Sequence, residues 1–423
     1  MIYIRNAAQV VTMAGPNDKP RTGAGMSELG LIENGGVVLE GETIAFVGPD
    51  EEARRYVEAS GREYEVIDAS GKLVAPGLVD PHTHVVFAGS REKELNMRLQ
   101  GATYMEIMNA GGGIHSSTAR TREASEEQLV LETRKRLDRF LEHGVTTIEA
   151  KSGYGLRLED ELKQLRVARR LNEEHPVDLV STFMGAHAVP KEYKADPDAY
   201  VKLVTDVMIP AVAAERLAEY CDVFCEEGVF TPEQSRVVLE AGKRWGLKPK
   251  IHADEIEPYA GGELAAEIGA VSAEHLLRVS DDGIRAMAEK GVIAVLLPGT
   301  AFFLMTKPAE ARKMIEAGVP VALSTDRNPG SCPTESLPFV MNLACLTMKM
   351  TPAEVLTACT INAAHAIDRA GRIGSLEAGK QADVVIFDAP NYLYLQYHYA
   401  VNLVETVVKK GKTVVADGRR TDR

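Results

Sequence analysis

The sequence predicts an α/β chain organised as a (β/α)8 TIM barrel, with a small β-sandwich domain assembled from both chain ends. Three observations carry that prediction. From about residue 73, short apolar runs alternate with longer charged segments of helical period. Eight such units fill about 255 residues, the length of one such barrel. On either side the chain reads as short strands and turns, too small at each end to bury a core alone. A doubly wound open sheet is the alternative for the same alternation, but it would not by itself require polar residues at so many strand ends.

Residues 1–72 supply the first part of the sandwich through "MIYIRNAAQVVTM", "GVVLEGETIAFVG" and "YEVIDASGKLV", with "MAGPNDKPRTGAG" as a surface loop. Residues 73–373 form the barrel. Its strand runs are "LVAPGLVD", "VTTIEAK", "DLVSTFMGAH", "CDVFCEE", "LKPKIHAD", "AVSAEH", "VIAVLLP" and "VPVALSTD". Helices between them include "SEEQLVLETRKRLDRFLEHG" and "TPEQSRVVLEAGKRWG". The second opens with Thr231 as cap, Pro232 in the first helical position and Gln234 three after the cap, and closes at Gly246. Residues 374–423, with "GSLEAGKQADVVIFD" and "VETVVKKGKTVVADG", complete the sandwich. Gly111 to Gly113 in "NAGGGIHSS" read as a loop over the barrel mouth, and they lack the Gly-Lys-Ser/Thr ending of a phosphate loop.

Bulk composition narrows the function classes. A formal net charge of −13 argues against nucleic acid or an anionic membrane as partner, and it means that an anionic substrate needs a locally placed cation. No apolar stretch is long enough to cross a bilayer, and "MIYIRNAAQVV" lacks a signal-peptide layout. Five scattered cysteines fit a reducing cytoplasm better than a disulfide framework, and Cys221 and Cys225 read as packing residues. The expected setting is a cytoplasmic enzyme acting on a small molecule.

The strand ends sharpen this. Strand one ends in His82 and His84, strand two in Lys151 and Ser152, strand three in His187, strand five in His252, strand six in His275 and strand eight in Asp326. In a barrel these ends converge on one mouth, where active sites are built. Positions i and i+2 of a strand face the same side, so His82 and His84 can grip one ion; taken alone they also fit a strand end with two exposed histidines. His82, His84, His252 and Asp326 together offer three imidazoles and a carboxylate, a set suited to Zn(2+) or iron with room for water. An ion there brings the pKa of its water towards neutrality. Glu255, read as one helical turn after His252, is placed to move a proton, and His275 to hydrogen-bond the water or a substrate oxygen. Glu255 also fits a helix N-terminal charge.

"PGLVDPHTH" followed by a late strand-ending Asp resembles the amidohydrolase superfamily, whose members carry a β-sandwich beside the barrel. "FAGSREKELNMRLQGATYMEI", "EAKSGYGL", "HADEIEP" and "STDRNPGSCPTESLP" extend the resemblance to the branch that acts in histidine degradation. It covers essentially the whole chain. What it implies is hydrolysis of the cyclic amide of 4-imidazolone-5-propanoate to N-formimidoyl-L-glutamate. By that resemblance Glu255 manages the proton, His275 orients or polarises, and the metal with a nearby donor holds the oxyanion. Arg91 is the fork for the propanoate carboxylate. Tyr154, His187 and the turn around Asn328, Gly330 and Ser331 carry over as substrate contacts, the turn offering main-chain donors. The resemblance further implies one ion per chain, with Lys151 in an ion pair instead of bridging two metals, and a homodimer. Arg327 has no assigned role. A deaminase acting on a cytosine- or guanine-like ring is the competing activity, since "HADE" suits that chemistry too, but it needs no cation such as Arg91. A non-enzymatic metal-binding scaffold is the third reading, and Glu255 and His275 argue against it.

Overall fold

The structure, a computed structural model, describes residues 1–102, 106 and 112–421. Gly111, the first of the three glycines expected over the mouth, lies outside the described residues. Eight parallel strands form the barrel: β1 (Leu78–Asp80), β2 (Val145–Lys151), β3 (Asp178–Ala186), β4 (Tyr220–Cys225), β5 (Lys248–Ala253), β6 (Ser272–His275), β7 (Ile293–Leu296) and β8 (Val321–Leu323). They pair in chain order. An open sheet would leave β1 and β8 as edges. Here the chain is stitched shut just past them, Asp326 N–H donating to His82 O at 3.1 Å and His84 N–H to Arg327 O at 2.9 Å. That closure draws the first and last strand ends into one site.

The helices follow from local rules. Three matter below: α1 (Glu92–Leu99), α2 (Glu126–Glu142) and α3 (Pro232–Arg244). Ser125 caps α2 by accepting the Gln128 N–H, and its buried stripe of Leu129, Val130, Leu137, Phe140 and Leu141 repeats at helical spacing. The capping box at Thr231 and Gln234 is formed as the sequence predicts, and α3 stops before Gly246, whose φ is 83°.

The run "LVAPGLVD" divides. Leu73–Pro76 pairs antiparallel with Val384–Phe387 in the terminal sheet, and only Leu78–Asp80 enters the barrel. Between them, a Cβ on Gly77 would lie 2.4 Å from Thr146 Oγ1, so the crossing requires glycine. Among the described residues the terminal sheet has nine strands drawn from both chain ends. Its small core joins Ile4, Val10 and Val37 to Val384, Ile386 and Val408, so neither end buries that core alone. The loop expected at the surface over residues 13–25 is partly tied down. Arg21 is buried and donates to Met13 O at 2.7 Å, while its N–H reaches Asn362 Oδ1 at 2.7 Å. No helix among the described residues is long and apolar enough to cross a membrane. All five cysteines are free, and Cys221 and Cys225 are buried in the barrel core.

Candidate active site

His82, His84, His252, His275 and Asp326 are all buried at the C-terminal mouth. His252 Nε2 lies 3.3 Å from His84 Nε2, and Asp326 Oδ1 lies 3.4 Å from His82 Nε2 and 3.8 Å from His84 Nε2. Carboxylates set the direction of two rings. Glu274 pairs with His82 Nδ1, and Asp222 Oδ1 lies 3.1 Å from His252 Nδ1. A carboxylate on Nδ1 keeps the proton there and leaves Nε2 as a lone-pair donor. Burial holds the imidazoles of His82, His84 and His275 well below the ordinary histidine range, so they are neutral, the form that ligates. His82 Nε2 is buried with no hydrogen-bond partner among the described residues. Such an atom is costly unless a ligand meets it. The donor set fits a divalent metal cofactor.

Below the rings lies a fully buried ionic cluster. Lys151 Nζ sits 2.7 Å from Asp222 Oδ2 and 2.9 Å from Glu149 Oε2, and Lys250 Nζ sits 2.9 Å from Glu149 Oε1. Lys151 is therefore in an ion pair. Burial acts to raise the Asp222 carboxyl, but its pairing with His252 and Lys151 outweighs this and holds it below the usual range. At Glu274 burial wins over Lys151 and Lys250 and lifts the carboxyl to about 7.

Glu255 does not lie on a helical turn. Asp254 takes φ 50° directly after β5, and the next helix begins at Gly261. The Glu226 carboxylate accepts the N–H groups of Glu255, Ile256 and Glu257 at 3.0, 2.9 and 3.1 Å, satisfying in a loop the donors that a helix start would leave free. The loop brings Glu255 Oε1 to 3.6 Å from His275 Nδ1. Burial, then the charges of Asp326 and Glu226, push Glu255 up to about 8.

A cavity of about 290 Å³ opens over these groups, and every site residue expected from the sequence except His82 lines it. The His187 ring stacks on His84 with centroids 4.8 Å apart and planes 11° apart, held by its Nδ1 at 3.0 Å from Gly153 O. Tyr154 meets His84 and His187 edge-on at 5.8 and 5.3 Å. Burial pushes its phenol upward, so it keeps its proton. Arg91 is gripped by Glu94, with Nε at 2.9 Å and Nη2 at 2.8 Å from Oε2, while Glu94 Oε1 accepts the Gly113 N–H at 3.0 Å. A Cβ on Gly330 would fall 2.0 Å from Arg91 Nη1, so glycine is what lets the guanidinium reach this wall.

The Asn328 turn differs from its sequence reading in one respect. The N–H groups of Gly330 and Ser331 donate to Asn328 Oδ1 at 2.8 and 2.7 Å, because the asparagine side chain folds back over its own turn. They are engaged within the turn. Arg327 holds Glu335 at 2.7 Å and lies over the Phe87 ring. Sequence reasoning passed over Glu274, Asp222, Glu226 and Glu94. For the first two a signal existed: an ionisable residue inside a barrel strand with no free face must have a buried partner.

A family model described as "Amidohydrolase family" matches residues 73–414. An imidazolonepropionase of Shouchella clausii (strain KSM-K16) is 68% identical over 418 residues, covering 99% of this chain and 94% of that protein. One from Geobacillus kaustophilus (strain HTA426) is 66% identical over 418 residues, covering 99% of both. Among solved structures, atrazine chlorohydrolase from Arthrobacter aurescens TC1 complexed with zinc superposes with a TM-score of 0.74 at 17% identity, covering 100% of this chain and 97% of that one. That likeness supports the fold. With relatives at two-thirds identity along its whole length, the chain belongs to the amidohydrolase family and, within it, to the imidazolonepropionases.

Proposed function

We propose that the chain hydrolyses the cyclic amide of 4-imidazolone-5-propanoate to N-formimidoyl-L-glutamate, using one zinc or iron ion held by His82, His84, His252 and Asp326. The observation that carries this reading is one cavity lined by three of those donors, by Glu255 and His275, and by Arg91. Bound there, the ion supplies Lewis acidity and makes water a better nucleophile near neutral pH. The chain's own residues do the rest. Water oxygen adds to the ring carbonyl carbon, the C–N bond breaks, and a water proton goes to the departing nitrogen. Glu255 relays it, since a carboxyl lifted to about 8 both takes and returns a proton near neutrality. Neutral His275 offers one N–H to the oxygen that gathers charge. Arg91 holds the propanoate carboxylate through the guanidinium edge that Glu94 leaves uncovered. Tyr154, His187, Asn328, Gly330 and Ser331 shape the pocket around the ring.

The test is loss of the imidazolone ultraviolet absorbance on adding purified protein, run beside metal analysis. Ammonia release from a cytosine-like ring, with the imidazolone left intact, would favour a deaminase instead. We also propose a homodimer. Residues 389–403 contain no Asp, Glu, Lys or Arg, yet Tyr397 is 82% and Tyr399 62% exposed, a composition suited to a covered face. Light scattering reads the mass.

A further inference from the structure

A second cavity, of about 360 Å³, lies on the far side of Arg91 and Gly330 from the substrate pocket, and those two residues line both. One wall is Arg91, the residue that precedes α1, with the α1 face that carries Glu94, Leu95 and Arg98. The other is the face of α2 that carries Glu132, Lys135, Arg136 and Arg139. Both sets follow the i, i+3, i+4, i+7 spacing of a single helix face. In a chain of net charge −13, this cavity is lined by six cations and three carboxylates. Its local field therefore opposes that of the whole molecule and favours an anion.

Three of the cations are already committed. Arg91 holds Glu94, Arg136 holds Glu132 at 3.2 Å and two backbone carbonyls at 2.9 Å, and Arg327 holds Glu335. Three are not. Arg98 Nη1 is buried with no hydrogen-bond partner among the described residues. Lys135 pairs with no carboxylate among them, and Arg139 reaches only Glu335, at 3.9 Å. The uncommitted charges come from opposite walls, Arg98 from α1 and Lys135 with Arg139 from α2. A single carboxylate satisfies one wall. Two carboxylates on a short chain satisfy both.

We propose that this cavity is a second binding site, for a small dicarboxylate, with one carboxylate against Arg98 and the other against Lys135 and Arg139. The ligand class gains meaning from the proposed reaction, whose product carries one carboxylate more than its substrate. The site itself does not depend on that reaction. Arg91 forms the partition, so an occupant of the second cavity sits against the residue that grips the substrate.

Equilibrium dialysis of the metal-loaded full chain with glutarate as probe tests this without any turnover. Glutarate is expected to fill one class of sites that Tyr154→Ala leaves in place. Arg98→Ala and Lys135→Glu should each weaken binding by about tenfold or more, the scale of one lost charge-assisted hydrogen bond. Butyrate, with one carboxylate, should bind more weakly than glutarate by a similar factor of about ten. Tyr154 lines the substrate pocket and not the second cavity, so Tyr154→Ala should leave glutarate binding unchanged. Unchanged circular dichroism and melting in each variant exclude misfolding. Glutarate binding that is absent in wild type, survives both charge substitutions, equals that of butyrate, or disappears in Tyr154→Ala overturns the proposal. A failed hydrolysis assay with the binding pattern intact overturns the proposed reaction and leaves the site standing.

Discussion

Replacing Arg91 by alanine separates a substrate anchor from a structural arginine. Its side chain is 16% exposed, and Glu94 occupies Nε and one side of Nη2. Nη1 and the rest of Nη2 stay available to a substrate carboxylate. Removing one partner of a desolvated ion pair costs about 2–5 kcal/mol, much of it from leaving the other charge unpaired. At about tenfold per 1.4 kcal/mol, kcat/KM should fall roughly 30-fold or more. KM takes most of the loss if Arg91 only anchors, and kcat falls as well if it also aligns the ring. The substitution has a second consequence that must be separated from the first. Glu94 is 8% exposed and would keep, among the described residues, only the Gly113 N–H, so Arg91→Ala should also lower the melting temperature. Glu94→Gln in the same background removes the stranded charge and should recover the melting temperature without recovering kcat/KM. Arg91→Lys should restore activity only in part, since a point charge cannot reproduce the fork. The decisive control is an analogue whose propanoate is a neutral amide: wild type should handle it poorly and the substitution should change it little. If wild type processes acid and amide equally well, Arg91 does not bind the substrate and the reasoning fails.

Three further outcomes follow from the same geometry. Glu255→Gln should keep its bound metal and lose about 10²–10⁴ in kcat, and a near-normal kcat would pass the proton to another group, His275 first. Glu274→Gln can donate where the carboxylate accepts, which turns His82 to the tautomer with its proton on Nε2. The dissociation constant for the ion, read by chelator competition, should rise about 10–100-fold, and unchanged affinity would remove Glu274 from the site. His175 supplies a pH dependence away from the mouth: burial, against the pull of Asp138, lowers it from 6.5 to about 4. The unfolded chain therefore binds the proton first, so this stabilisation is complete above about pH 6.5 and is lost as pH falls towards 4, a change on the order of 3 kcal/mol. His175→Gln should shrink the wild-type drop in melting temperature between about pH 7.5 and about pH 5, and an equal drop in both proteins would contradict the assignment.

Much of this architecture is legible in one dimension because it rests on local rules. Strand runs bounded by glycine and proline, the Thr231 cap and the glycines at 144 and 246 after α2 and α3 are read from neighbours in sequence, and the structure has them at those places. The ends of eight parallel strands must meet, so closure of the barrel alone brings His82, His84, His252 and Asp326 together. Reasoning from spacing went astray where side chains from elsewhere replaced the helix pattern. Glu255 is three residues beyond His252, which fits a helical turn, but Glu226 takes the local N–H groups and the segment is a loop. Arg21 sits in a stretch rich in Gly and Pro that reads as surface, yet backbone carbonyls gather around its guanidinium and bury it.

By itself the sequence determined the order of strands and helices, the histidines and aspartate at the strand ends and the mouth on which they converge, since each depends on residues a few places apart or on the closure of a parallel barrel. Only the tertiary structure decided which way each donor faces and what charge it carries. Glu274 orients His82 from 192 positions away, and Lys151 meets Asp222 across 71. No pattern of neighbours encodes such pairs. A buried imidazole or carboxyl takes its protonation state from the water it has lost and the charges packed against it, and both exist only once the strands have closed.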